Sequence, residues 1–162
     1  MKKLLSLSII MLFSLSSIFA KERVSPHTTV KGKNVSVTYG QPYKKGREIF
    51  GALEAYGKVW RTGADEATEI TFDKNGTFGG QQVKAGTYSL FTIPGKDEWT
   101  IILNSQLKQW GAFEYDSKKD VLRVTAKTKH LDKVVEQFTI SLDNSMMKLD
   151  WDQTSVTVWL QF

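Results

Sequence analysis

The stretch AGTYSLFTIPGKDEWTIILN, residues 85–104, has the pattern that decides the fold. A glycine turn opens it, and a β-rich run follows over residues 87–93. Residues 94–98 form a polar tip that contains proline and glycine, and a second β-rich run occupies residues 99–104. Two β-rich runs joined by a short turn predict an antiparallel hairpin.

The second run indicates which face of this hairpin is buried. Trp99, Ile101 and Leu103 are spaced two residues apart, so their side chains project from the same side of a strand. We expect these residues to face a shared interior. The other side chains predicted in that interior, from the alternating runs elsewhere, are Ile70, Phe72, Phe138, Ile140 and Leu142.

The same alternation extends outward from the hairpin, from residue 34 to the end of the chain. Asn75 and Gly76, between two alternating runs, predict a tight turn with Thr77 and Phe78 as the returning strand. We predict an all-β fold, an antiparallel β-sandwich or jelly roll of eight or nine short strands. The other predicted strands lie at residues 35–39, 70–72, 121–127, 138–142, 148–151 and 156–162.

Two stretches depart from the strand pattern. Residues 42–57 contain three glycines and predict one glycine-rich loop or a short helical turn. Residues 130–136 predict another short helical turn. With no repeat and no long linker, we expect a single β-sandwich domain over residues 34–162, preceded by an N-terminal segment at 21–33.

The start of the chain has the order of a secretory signal peptide at residues 1–20. Lys2 and Lys3 precede an apolar run, and Ala20 is the small residue at the expected cut. We therefore expect an exported protein, periplasmic or extracellular, without a stable membrane anchor after cleavage; an uncleaved anchor is the alternative. The chain has no cysteine, so its stability must come from apolar packing rather than disulfides.

Charge and composition argue against several function classes. Removing Lys2 and Lys3 lowers the formal net charge from +5 to +3, and the remaining lysines are scattered, so no nucleic-acid partner is expected. His27 and His130 are too far apart in sequence to form a metal-ligand pair, and no metal or other cofactor is expected. A protein partner stays unknown at this stage.

The richest candidate site is the stretch YGKVWRTGADEAT, residues 56–68. It crowds Trp60, Arg61, Asp65 and Glu66 around a glycine, and folding alone does not need this mixture because burying charge is costly. A guanidinium can grip a carboxylate or phosphate with two hydrogen bonds. We expect Arg61 to recognise an anion beside an acidic neighbour. The alternative is an internal salt bridge that pins the loop.

Arg47 could bring a second guanidinium to the same pocket. It ends the run Lys44-Lys45-Gly46-Arg47, which could equally be a solvated loop. Three tryptophans, Trp60, Trp110 and Trp159, lie where a sugar ring could stack on them; the alternative is that they plug the ends of the sandwich. Trp159 is out of phase with the apolar residues of its strand and should point away from the core.

Several long motifs of the chain resemble one family. They are YGQP at residues 39–42, the stretch at 56–67, AGTYSLFTIPG at 85–95, QWGA at 109–112 and DVLRV at 120–124. The chain is identified by them as a member of the exported bacterial proteins grouped as the domain of unknown function DUF2911. The resemblance implies an exported β-rich domain and supplies no catalytic residues. Asparagine is commoner in that family at position 65, which implies that Glu66 is the better acidic candidate.

Three functions remain open from the sequence. The preferred one is binding of a small polar or carbohydrate-like ligand in a cleft formed by residues 44–66 and the Trp110 loop. The second is a hydrolase or other acid–base enzyme that uses Glu66 with Arg61 and Arg47 as an electrostatic clamp. The third is an envelope module that meets a protein partner.

Overall fold

The computed structural model describes residues 22–162, and the predicted signal peptide lies outside this range. The described chain is almost entirely β-structure, with one 3₁₀ turn at Ser117–Lys119. No helix within it is long and apolar enough to cross a membrane. Its strands are β1 (His27–Gly32), β2 (Val35–Gly40), β3 (Thr68–Phe72), β4 (Gly76–Phe78), β5 (Gln81–Val83), β6 (Gly86–Ile93), β7 (Glu98–Asn104), β8 (Asp120–Leu142) and β9 (Met146–Gln161).

All pairings in this sheet are antiparallel, in the order β1-β2-β3-β6-β7-β8-β9-β4-β5. The long strand β8 joins two parts of the sheet. Its first part pairs with β7, with Ile101 opposite Val124, and its last part pairs with β9, with Ile140 opposite Leu149. The all-β antiparallel prediction is therefore confirmed.

The two parts of the sheet fold over one interior. The Tyr39 hydroxyl on β2 accepts a hydrogen bond from the Ile140 amide on β8 at 2.8 Å, although β2 and β8 are not neighbours in the sheet. The rings of Phe72 on β3 and Phe78 on β4 meet edge to face, with centroids 5.9 Å apart. Such contacts between non-adjacent strands produce the two-layered core of a sandwich.

The hairpin of residues 85–104 forms as predicted, as β6 and β7. Trp99, Ile101 and Leu103 are buried in one core cluster with the expected residues of β3 and β8. The opposite face of the hairpin is covered too, because Phe91 and Ile102 form a second cluster with Tyr115 packed against it. The loop that follows β7 is thereby held against the sheet.

The hairpin predicted at Asn75 and Gly76 is wrong, although Thr77 and Phe78 do lie in a strand, β4. Both edges of β3 are occupied, by β2 and β6, so β4 pairs with β9 and β5 instead of returning along β3. Gly76 is needed for another reason, because a Cβ at this position would overlap the Gln161 carbonyl oxygen on the neighbouring strand. Asn75 and Gly76 therefore lie at the end of the connection that takes the chain from β3 to β4 in the other layer, and they do not form a hairpin turn.

Two further segments differ from the strand list. Residues 27–32 form the edge strand β1, which the alternation from residue 34 onward did not predict. Residues 130–136 lie within β8 and are not a helical turn; the pairing of β8 with β9 changes register between His130 and Thr139, as in a bulge. Residues 42–57 contain no helix and form the predicted glycine-rich loop, with positive φ at Gly46, Gly51 and Gly57.

Candidate functional site

The loop at residues 60–66 begins with a side chain that is buried in the core, Trp60. Trp60 is only 3% exposed, and its ring stacks on Trp151 at 5.7 Å and meets Phe138 edge to face. Its backbone exchanges two hydrogen bonds with Thr92 on β6. Trp60 is therefore not an exposed stacking platform. The alternative reading, an aromatic ring that fills the end of the sandwich, describes its position.

Close backbone packing shapes the rest of the loop. Gly63 lies against Gly40 of β2, since a Cβ at position 63 would be 2.9 Å from the Gly40 carbonyl oxygen. A Cβ at position 40 would in turn overlap the Ala64 carbonyl oxygen. Thr62 and Asp65 both have positive φ, at 57° and 63°. The loop consequently turns sharply and projects its side chains in different directions.

Asp65 holds the start of the described chain. Its Oδ2 accepts hydrogen bonds from the backbone amides of Val24 and Ser25, at 3.2 and 3.0 Å. The Asp65 side chain is only 9% exposed, so these amides provide partners for a charge that would otherwise be costly to bury. We call residues 23–26 the strap, because Asp65 and Glu66 hold this segment against the loop.

Glu66 is paired with the strap as well. Arg23 Nε donates to Glu66 Oε1 and Oε2 at 2.8 and 3.0 Å, and His27 Nε2 lies 3.0 Å from Oε2. Burial alone would raise the pKa of Glu66, but the Arg23 hydrogen bonds and the nearby positive charge outweigh it and lower that pKa below its ordinary value. The expected pair of Arg61 with Glu66 does not form, because Arg23 occupies that position.

Arg61 forms no ion pair with the Asp65 or Glu66 carboxylate. It is partly buried, and its Nη1 donates a long hydrogen bond of 3.4 Å to the Asp65 backbone carbonyl. Within residues 22–162 no carboxylate forms an ion pair with it. Gly111 has positive φ and lets the guanidinium approach, since a Cβ there would be 3.1 Å from Nη1.

The acidic group on the Arg61 side is Glu54, which the sequence reading did not select. Backbone hydrogen bonds with Ile49 and Gly51 fix its position in the glycine-rich loop. Burial raises the pKa of the Glu54 carboxyl to about 7, and the charges of Arg61 and Arg47 offset part of that rise. The only feature of the sequence that could have indicated Glu54 is that it is an acidic residue in a loop close to the candidate motif.

Two of the clefts that lie beside the loop share no lining residue with each other. The arginine cleft has a volume of about 570 Å³. Arg47 and Arg61 both line it, so the two guanidinium groups converge as hypothesised. Its other lining residues include Val24, Ser25 and Pro26 of the strap, with Tyr43, Lys45, Leu53 and Glu54. The tryptophan cleft has a volume of about 430 Å³ and is lined by Arg23, His27, Thr38, Tyr39, Glu66, Ala67, Glu69, Lys108 and Trp110.

Comparison with known proteins gives one match. The family model described as a protein of unknown function, DUF2911, matches residues 21–160. The chain belongs to the DUF2911 family. No curated protein and no solved structure matches it. The part of this DUF2911 chain that the family model covers includes every residue that lines the two clefts.

The two remaining candidate tryptophans of this DUF2911 chain differ in position. Trp110 is partly exposed in the tryptophan cleft, and backbone hydrogen bonds from Ala67 to Gln109 and from Gly111 to Asp65 tie its loop to the candidate motif. Trp159 is 61% exposed, as its phase predicted, but it lines neither cleft. No group of three metal-ligating side chains occurs within residues 22–162.

Proposed function

We propose that this DUF2911 domain binds a small polar ligand that carries an acid group, and that the arginine cleft holds it. The observation that carries the proposal is Arg61: its charge and that of Glu54 interact across the cleft, but this partly buried guanidinium has no carboxylate as an ion-pair partner among the described residues. An internal salt bridge, the alternative from the sequence, would have given Arg61 such a partner. A ligand carboxylate or phosphate could accept two parallel hydrogen bonds from it.

The surrounding charges favour the same class of ligand. Lys45, Arg47 and Arg61 line the arginine cleft, and Glu54 is the one acidic side chain in its lining. Arg61 is the partly buried one of the three and is screened less than the exposed Lys45 and Arg47, so the cleft should attract an anion to Arg61. Glu54 in its protonated form can donate a hydrogen bond to a ligand oxygen, and it then no longer repels an anion.

An acid–base enzyme is a second candidate, with a different acid from the one first considered. Glu66 has a lowered pKa and is held by Arg23 and His27, which suits a structural carboxylate. The pKa of about 7 at Glu54 lies where a general acid or base works near neutral pH. The interaction-module alternative has less support, because a flat exposed apolar patch with every charged group paired internally would favour it, and Arg61 forms no ion pair within the described residues. We place either function outside the cytoplasm, on the signal-peptide pattern of residues 1–20.

The test is substitution of Arg61 by lysine, which keeps the charge and removes the two-pronged geometry. We expect Arg61→Lys to keep the melting temperature within a few degrees and to abolish calorimetric binding of a panel of glucuronate, galacturonate, citrate and phosphate. Arg123→Lys is the matched control, because Arg123 is partly exposed, pairs with Asp120 and lies outside both clefts. If the Arg61→Lys variant melts many degrees earlier than wild type and the wild type binds nothing on the panel, the motif has only a structural role.

A further inference from the structure

The tryptophan cleft has the size and composition of a second ligand site. Its volume of about 430 Å³ falls within the range of small-molecule sites, roughly 300–1,000 Å³. It is separate from the arginine cleft, because no side chain lines both. Whatever it binds is therefore recognised by different chemistry from the acid group proposed for Arg61.

The charges in this cleft are balanced. Two carboxylates, Glu66 and Glu69, face two cations, Arg23 and Lys108. An anionic ligand would meet the two carboxylates and a cationic ligand would meet the two cations, so neither is favoured by net charge. An uncharged ligand whose hydroxyls both donate and accept hydrogen bonds satisfies groups of both signs.

Trp110 and His27 also bear on which ligand the cleft can hold. Trp110 supplies a partly exposed aromatic wall, and its backbone is bridged to Glu66, so the ring and the carboxylate are held side by side. His27 Nδ1 lies 3.0 Å from the Ser25 carbonyl oxygen and its Nε2 lies 3.0 Å from Glu66 Oε2, so the ring is held in place as one wall of the cleft.

We infer that the tryptophan cleft binds an uncharged sugar ring, stacked on Trp110 and hydrogen-bonded to Glu69. Stacking uses the apolar C–H face of the ring, and the balanced charges serve its hydroxyls. The Glu69 carboxylate is already positioned for this role, because its Oε1 accepts the backbone N–H of Lys108 at 3.0 Å. This leaves its second oxygen as an acceptor for a sugar hydroxyl.

The experiment is titration of the whole protein with glucose, N-acetylglucosamine, maltose and cellobiose at millimolar concentrations, followed by calorimetry and saturation-transfer NMR. We expect at least one of these sugars to bind. Trp110→Ala should weaken that binding by about tenfold or more, and Trp110→Phe should restore part of it. Trp159→Ala is the matched control and should leave it unchanged, because Trp159 is exposed outside both clefts.

Glu69→Gln gives a second test should Trp110→Ala fail to fold, since it keeps the shape of the side chain and removes its charge. It should weaken sugar binding severalfold. Arg61→Lys should keep sugar binding, which separates this site from the acid-binding site. The inference is overturned if none of the four sugars binds, or if Trp159→Ala weakens binding as much as Trp110→Ala, or if Glu69→Gln has no effect.

Discussion

At the scale of single residues, Glu54 has the strongest consequence for behaviour in solution. Its carboxyl has a pKa of about 7 in the folded chain, against an ordinary value of 4.5, because burial disfavours the charged form. The folded chain therefore holds a proton that the unfolded chain releases between these two pH values. Stability is lost as the pH rises from about 4.5 to about 7, because folding then requires a buried charge that Arg61 and Arg47 offset only in part.

We predict that Glu54→Gln removes this loss. The variant should gain up to about 3 kcal/mol in the free energy of unfolding at pH 8 relative to wild type, and much less at pH 5. Urea unfolding at the two pH values measures the difference. Glu48→Gln, an exposed position in the same loop, is the matched control. Equal pH dependence in wild type and Glu54→Gln would mean that Glu54 is ionised in the folded chain.

Residue spacing predicted the candidate motif but not its pairing. Asp65, Glu66 and Arg61 are close in sequence, so a local pair was expected, yet the partners of both carboxylates lie in the strap about forty positions earlier. Local sequence has no signal for such a contact, because it depends on β1 and β2 bringing the strap back beside the loop. The convergence of Arg47 and Arg61 was foreseen because both lie in loops that the strands leave free.

At the scale of elements, the β6–β7 hairpin is the part of the fold on which most packing depends. Trp99 is 1% exposed, and its ring meets both Phe50 and Trp60 edge to face. It therefore connects the hairpin to the glycine-rich loop and to the candidate motif. Truncating it would leave a large cavity at the point where these three elements meet.

We predict that Trp99→Ala lowers the free energy of unfolding by about 3–5 kcal/mol, as for other large-to-small changes in a core. Trp159→Ala removes the same side chain from the outer face of β9, where it is 61% exposed, and should change stability by less than about 0.5 kcal/mol. Urea midpoints of the two variants give the comparison. A nearly neutral Trp99→Ala would contradict the burial of this face.

Strands were predictable where the apolar alternation and the turn signals indicated the same boundaries. The hairpin of β6 and β7 has both, and its strands match the expected runs. The failure at Asn75 and Gly76 arose because a turn signal cannot show that both edges of the preceding strand are already paired. The failure at residues 130–136 has a similar origin, because a bulge interrupts the alternation inside a continuous strand.

At the scale of the whole molecule, the strap lies just after the predicted signal peptide. We predict that the mature protein begins at Lys21, because charged, apolar and small residues follow one another in signal-peptide order over residues 1–20. N-terminal sequencing of material from outside the cytoplasm is the measurement. Intact Met1 on a soluble cytoplasmic protein would contradict it. Cleavage at this point would leave Arg23 in place to pair with Glu66.

The pairing of β4 with β9 has a consequence for the order in which the molecule can assemble. Thr77, near the middle of the chain, lies opposite Gln161, almost its last residue. A polypeptide that emerges from its N-terminus can form β1, β2, β3, β6 and β7 early, but the β4–β5 pair has no other strand to join until β9 arrives. Contacts this distant in sequence slow folding. Removing the last few residues should therefore prevent completion of the second layer, however complete the first one is.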